Sequence, residues 1–373
     1  MAERRLQILM LFAFLGSGVA ADCSATAADP RLLRTRQEAE SRGFTFEIDH
    51  DEILARAKKE GKLRALAGLD PANIKAMANA FRSKYPFLDF HVEEITGTDS
   101  ARRFILELKS GRVQDWDAIL LSQDFYNEYL PYMKKIDILG MAEHGVLVTP
   151  PKMVDPVNRN IVAHTSAAQI VAYHNKLLSA DKVPNTWEDF LKPEFKGRKF
   201  VADIRPTEIA ALVPAWGLEK VLDFARKLAS QEPIWVRGAT RTIASMAAGE
   251  YMLFIGANYD SFRRFKDPAQ ILGYKIVAPV PTRIGNMNGV LASAPNPYAA
   301  LLWLEFQSSP EGQKISDKYE PFGASIFTQG SALETLVRGR EISLVEWKHS
   351  TKMQEYQEKV VQAYGFPRAE MKK

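Results

Sequence analysis

A chain of 373 residues with a single cysteine, Cys23, has no pair from which to close an internal disulfide. At this length none is needed, because enough apolar surface is buried without covalent staples. Long apolar runs are missing too. The longest extends from Leu6 to about Leu15, well short of the ~20 residues that cross a bilayer. No block of lysine and arginine could track a phosphate backbone, and a formal net charge of +4 is too small to argue for nucleic acid, so none is expected as a partner. The signatures of enzyme chemistry are also lacking: no Gly-x-Ser-x-Gly elbow, P-loop, dinucleotide-binding glycine fingerprint or His-Glu-x-x-His helix. Six histidines, His50, His91, His144, His164, His174 and His349, are scattered, and His164 and His174 read as structural residues of a long strand. These absences point away from an enzyme, a cofactor and a bound metal.

What is present begins with "MAERRLQILMLFAFLGSGVAADCSATAADP", where Arg4 and Arg5 precede the apolar stretch and small residues follow it. That order is an export signal, expected over residues 1–28, and implies a periplasmic protein. Cys23 beside the cleavage region is an alternative lipid-anchor residue, although Asp22 is a poor fit to the small residue such a site wants. Hydrophobic residues at 46% and charged residues at 25% are ordinary for a globular chain, so long disorder is not expected. The length suits two lobes.

Residues 29–52 form a polar extension with some helix. From there strands and helices alternate: helix "DEILARAKKEGK", strand "LRALAGL", helix "PANIKAMANAFRSKY" opened by Pro71, strand "LDFHVEEIT", helix "SARRFILELKSG", strand "WDAILLS" and helix "DFYNEYLPYMKK". Strands separated by helices of this length indicate a parallel sheet with crossover helices. The run "NIVAHTSAAQIVAYHN" is long for one strand, and a second α/β series follows it, with strands "KFVAD", "PIWVRG" and "YMLFIGAN". After "YKIVAPVP" and "GVLASAPNP" the chain returns to helices. Two α/β lobes crossed twice by the chain make a hinge with a cleft between them. Lobe one is expected at 29–163 and 284–373, with the C-terminal tail packed on it, and lobe two at 164–283.

Three segments carry a resemblance. "VPNTWEDFLKPEFKGRKFVAD" is similar to the Pro-x-Thr-Trp-x-Asp-Leu and Lys-Gly-Lys pattern of the type II periplasmic solute-binding proteins of ABC transporters. "SMAAGEYMLFIGANY" resembles their helix, Ala-Gly-Glu, strand and Asn-Tyr run, and "APNPYAALLWLEFQSSPEGQKI" their Pro-Asn and Ser-x-Glu-Gly-Gln signature. In this order, over about residues 50–330, they are most like the ferric-iron-type branch. The resemblance implies a two-lobed α/β fold of the type II periplasmic-binding-protein kind. Its partners would be a small-molecule ligand and an inner-membrane ABC permease, with the protein itself a monomer. Physically, Trp187 and Phe190, three residues apart on a short helix, are core anchors, Gly249 ends a helix, and Ser308 or Ser309 caps the next.

In open α/β sheets, ligands sit beyond the carboxyl ends of strands. The residues there are Asp70, Thr98, Ser100, Ser122, Gln123, Arg205, Arg237, Arg241, Asn258 and Tyr259. Hydroxyls and free N–H groups at helix starts favour anions, though Asp99 and Ser100 are equally readable as N-caps. Arg237 and Arg241 offer forks suited to carboxylate or phosphate, while Arg205 could instead pair with Asp203. The iron branch implies a His at the first strand end, a Glu at the third and a Tyr–Tyr pair. Here Leu69 or Asp70, Ser122 or Gln123, and Asn258-Tyr259-Asp260 stand in those places. A small organic anion is therefore the expected cargo. The alternatives are ferric iron held by Tyr259, Asp70 and Asp260, and a bilobed sensor without a transport role.

Overall fold

In the computed structural model, which describes residues 29–113, 115–265 and 270–366, the export segment expected at 1–28 lies outside the described residues. The strands are β1 (Lys62–Ala67), β2 (Asp89–Glu94), β3 (Ala118–Leu121), β4 (Ile161–His174), β5 (Val201–Asp203), β6 (Ile234–Val236), β7 (Leu253–Asn258), β8 (Leu272–Lys275), β9 (Val280–Val290) and β10 (Ile342–Val345). They follow one path, β2-β1-β3-β9-β4-β7-β5-β6, with β10 on β9 and β8 on β4. Both flanks are parallel: β2 and β3 pair with β1, and β6 and β7 with β5. The expectation of parallel strands holds there. The centre is antiparallel, because β9 and β4 run between the two halves rather than returning through a helix.

β4 joins the halves. Ile161 to Ala168 pair with β9, whereas Gln169 onward pairs with β7 and, from Val171, with β8. Most of its side chains are buried, as a strand paired on both edges and covered on both faces requires. β9 crosses in the opposite direction, pairing with β10 through Val280–Arg283 and with β3 through Met287–Val290.

Two main cores lie on either side of this crossing. The first gathers Ile53, Leu63, Phe81, Phe90, Trp303 and Phe306; Phe81 meets the rings of Trp303 and Phe306 edge-on at 5.1 and 5.5 Å. The second gathers Trp187, Phe190, Phe200, Phe224 and Leu253. Trp187 is buried as expected, and its indole N–H donates to the Pro279 carbonyl at 3.1 Å, tying this core to the start of β9. Ser309, not Ser308, caps the Pro310–Tyr319 helix, accepting from the Gly312 N–H.

Three expectations need correction. The helix foreseen in "DFYNEYLPYMKK" is three short turns, broken where Pro131 has no N–H to continue the ladder. The short helix expected to carry Trp187 and Phe190 is the 3-10 turn Glu188–Leu191, ending as the chain approaches Pro193. The C-terminal segment packs on lobe one only at its start, where Trp347 joins the first core and its indole N–H donates to the Lys152 carbonyl at 3.3 Å. Its helix Met353–Tyr364 places Met353, Tyr356, Val360 and Tyr364 in the second core, beside the Leu218–Ala229 helix. Its apolar face matches that of the Leu218–Ala229 helix, a pairing no local pattern announces.

Around the first core, helix His50–Glu60 lies beside helix Pro297–Ser308. His50 Nε2 meets Glu305 Oε2 at 2.8 Å, while Glu305 Oε1 accepts from the Val148 N–H. The hydrogen bond to Glu305 raises the His50 pKa against the opposing effect of burial. With its folded pKa above the unfolded ~6.5, His50 contributes stability that is complete below that value and is lost as pH rises through the folded pKa. The thermal midpoint of wild type should exceed that of His50→Gln near pH 6, and the gap should shrink by pH 8. A gap constant with pH would show that the ion pair is not protonation-linked.

Candidate functional site

The carboxyl ends of β1, β3, β5, β6 and β7 converge on the line where β4 and β9 cross. A cavity of about 370 Å³ opens there between Ser122 and Gln123 on one side and Asn258 and Tyr259 on the other. Gln123 donates from its amide to the Ile284 carbonyl of β9. Asn258 is the N-cap of helix Tyr259–Arg264: its Oδ1 accepts from the N–H groups of Asp260 and Ser261 at 2.9 and 3.2 Å. Tyr259 packs on Phe322 and edge-on against Tyr274. Burial first, then Tyr274, raises the Tyr259 pKa, so the residue offers a neutral phenol.

Asp70 reaches across the cleft. Its two carboxylate oxygens receive the guanidinium groups of Arg263 and Arg264, each at 2.6 Å. Both arginines also hold Asp260, at 2.7 and 3.1 Å. Behind them, buried Glu320 accepts from the Asp70 N–H and from Asn73 Nδ2; burial raises its pKa against those two bonds. Asp70, Asp260 and Glu320 bring ligand-capable oxygens within 4.8 Å of one another. The arginines already neutralise two of the three carboxylates.

The basic residues form a second group. Buried Asp203 accepts from the Arg205 N–H and the Gly238 N–H, each at 2.9 Å, and so knits the ends of β5 and β6 together. Its carboxylate also stands 3.9 Å from the Arg205 Nε, the pairing foreseen from sequence, while the Arg205 side chain stays largely exposed. Gly238, at φ +93°, begins helix Ala239–Ala247, whose first turn has no side-chain cap. Arg205, Arg237 and Arg241 surround that helix start. Opposite, helix Thr98–Lys109 begins at Gly97, also without a side-chain cap, and Ser100 shares a recess with Arg205 and Arg237. N–H groups at such helix ends and guanidinium forks both attract anions.

The residues picked from sequence thus fall into two adjoining groups. Ser122, Gln123, Asn258 and Tyr259 line the first cavity, with Asp70 in the clasp beside it. Ser100, Arg205, Arg237 and Arg241 lie around the second recess. Thr98 starts its helix, but its side chain lies outside the described ones. Asp99 and Ser100 are not N-caps; Gly97 is. Sequence reasoning missed Arg263, Arg264, Glu320 and Tyr274. Arg263 and Arg264 follow the Asn-Tyr-Asp run by one helical turn, a signal that spacing offered. Nothing local marks Glu320 or Tyr274.

Residues 132–352 match the family described as bacterial extracellular solute-binding protein. No curated relative matches the chain in sequence. In fold it is similar to Trichodesmium FutA (IdiA), determined in complex with iron and citrate ligands: TM-score 0.62, 17% identity, covering 81% of this chain and 99% of that one. It is also similar to the apo ferric ion-binding protein A of Pasteurella haemolytica, at TM-score 0.60 and 16% identity, covering 83% and 100%. An ABC-transporter substrate-binding protein of Agrobacterium tumefaciens gives 0.56 and 15%, covering 80% and 94%. The architecture is the two-lobed type II periplasmic-binding-protein fold.

Because Asp70 and the two arginines come from opposite sides of the cleft, removing the carboxylate should favour lobe opening. For Asp70→Asn the closing equilibrium should shift by on the order of 1–3 kcal/mol, between the limits for exposed and buried pairs. Small-angle scattering of the ligand-free protein should record a larger radius of gyration than for wild type. Identical scattering curves would mean that the clasp does not hold the lobes.

Proposed function

The chain belongs to the bacterial extracellular solute-binding proteins, and from that premise we propose that it captures a small organic anion between its lobes and delivers it to an ABC permease in the inner membrane. The observation that carries this reading is the meeting of Arg205, Arg237 and Arg241 with the uncapped start of helix Ala239–Ala247, facing Ser100 and a second uncapped helix start across the cleft. Charge-assisted hydrogen bonds from arginine forks and helix N–H groups suit a carboxylate or a phosphorus oxyanion. Docking on one lobe and contact with the other stabilise the closed form by the ligand's differential affinity for it. Closure then offers the permease a surface that the open form lacks. No catalytic step is assigned, and the protein acts as a monomer in the periplasm. Among the described residues, no helix is long and apolar enough to cross a membrane.

Ferric iron is the second reading, favoured by the gathering of Asp70, Asp260 and Glu320 beside Tyr259. Hard ferric iron takes anionic oxygens. Against it, Arg263 and Arg264 already occupy the two aspartates, and the Tyr259 phenol would have to lose a proton that its surroundings help it keep.

Thermal unfolding against small carboxylates, phosphonates, phosphorylated compounds and ferric citrate separates the two, since a ligand that binds only the folded state raises the midpoint. An organic anion should raise it and ferric citrate should not. Arg237→Ala should then weaken that anion by about 1.5–3 kcal/mol, roughly ten- to a hundredfold. A shift with ferric citrate alone, abolished by Asp70→Asn, would replace the anion reading with the iron one.

A further inference from the structure

A cavity of about 730 Å³ adjoins the arginine group, within the size range of small-molecule sites. Arg205 and Arg237 line one part of it, and Gln354 and Gln357 of the C-terminal helix line another. Glu208 also lines it, on the short helix Thr207–Ala210, and is only 4% exposed. Its Oε1 has no hydrogen-bond partner among the described residues. A buried polar atom left without a partner costs roughly 1–3 kcal/mol, so its persistence calls for a use.

The backbone makes room for this carboxyl. Gly256 of β7 sits at φ +73°, and a Cβ there would come within 2.0 Å of Glu208 Cγ. Any larger residue would push the Glu208 side chain out of its place. Burial drives the Glu208 pKa well above its ordinary value; a hydrogen bond from its own backbone N–H opposes this, Asp203 adds to the effect, and Arg283 and Arg205 oppose it. Burial thus favours the neutral acid, which can give one hydrogen bond and accept others.

We infer that Glu208 is a ligand-binding residue, and that the cargo is a hydroxylated organic anion whose charged end meets Arg205 and Arg237 while a hydroxyl bonds Glu208 inside the second cavity. This rests on the anion reading above and narrows it. A cationic group at Glu208 would share the cavity with Arg205 and Arg237 and be repelled by them. A purely apolar body would leave Oε1 without a partner. A hydroxyl both donates and accepts, and matches a neutral carboxyl on each count.

The test compares paired probes by calorimetry: inorganic phosphate against glycerol 3-phosphate, and acetate against gluconate. The proteins are wild type, Glu208→Gln and Glu208→Met. In wild type the hydroxylated member of at least one pair should bind about tenfold more tightly than its bare counterpart, the worth of one good buried hydrogen bond. Glu208→Gln should keep that advantage, and Glu208→Met should lose it while binding the bare anion as wild type does. Without ligand, the thermal midpoint of Glu208→Met should equal or exceed that of wild type, because a buried carboxyl with one unpartnered oxygen has been replaced by an apolar chain of similar length. A lowered midpoint would make Glu208 a structural residue and overturn the inference. An advantage that survives in Glu208→Met, or bare and hydroxylated anions that bind wild type equally, would overturn it too while leaving the anion reading standing. Binding of none of the four probes by wild type would overturn both.

Discussion

One strand, β4, belongs to both halves of the sheet, and the rest of the molecule is arranged around that constraint. A fourteen-residue strand that changes partners from β9 to β7 and β8 near Ala168 and Gln169 cannot slide without breaking both sets of hydrogen bonds. Its register is fixed by burial on either side, since a shift of one residue would turn every side chain to the wrong face. The two halves are therefore joined at a fixed line. In the proposed capture mechanism, rotation about that line is the movement that opens and closes the cleft.

The candidate binding residues lie along that line. Strand ends from both halves bring Ser122 and Gln123 opposite Asn258 and Tyr259, and Ser100 opposite Arg205 and Arg237. The Asp70 clasp with Arg263 and Arg264 spans the same gap. In the proposed mechanism, a ligand that closes the lobes adds its contacts to those of the clasp, and the clasp sets how much of the closed form exists before any ligand arrives. The energetic arrangement is asymmetric. On the clasp side charges are paired, whereas on the arginine side the guanidinium groups are largely exposed and two helix starts are uncapped.

How far the sequence revealed this depended on the range of each interaction. Alternating strands and helices, the Pro71 helix start, the Trp187 and Phe190 anchors and the long crossing strand were all legible, because each depends on local periodicity or on a short motif. Strand ends were legible too, so Asp70, Gln123, Arg237 and Tyr259 could be named as candidates. Partnerships were not. That Asp70 would face Arg263, that Glu320 would come up behind it, or that Gly256 would admit Glu208 depends on residues between about 50 and 250 positions apart. The C-terminal helix was misplaced for the same reason. Its amphipathic face showed that it packs somewhere, and only the Leu218–Ala229 helix determines where.

That the cleft takes an organic anion is the central proposal. The most direct test is native mass spectrometry of the protein released gently from the periplasm, with the bound species then freed and identified. The account predicts a mass increment from a small organic anion, carried by wild type and missing from the Arg205→Ala, Arg237→Ala double variant. Retained iron in both proteins, with no organic anion in either, would contradict it.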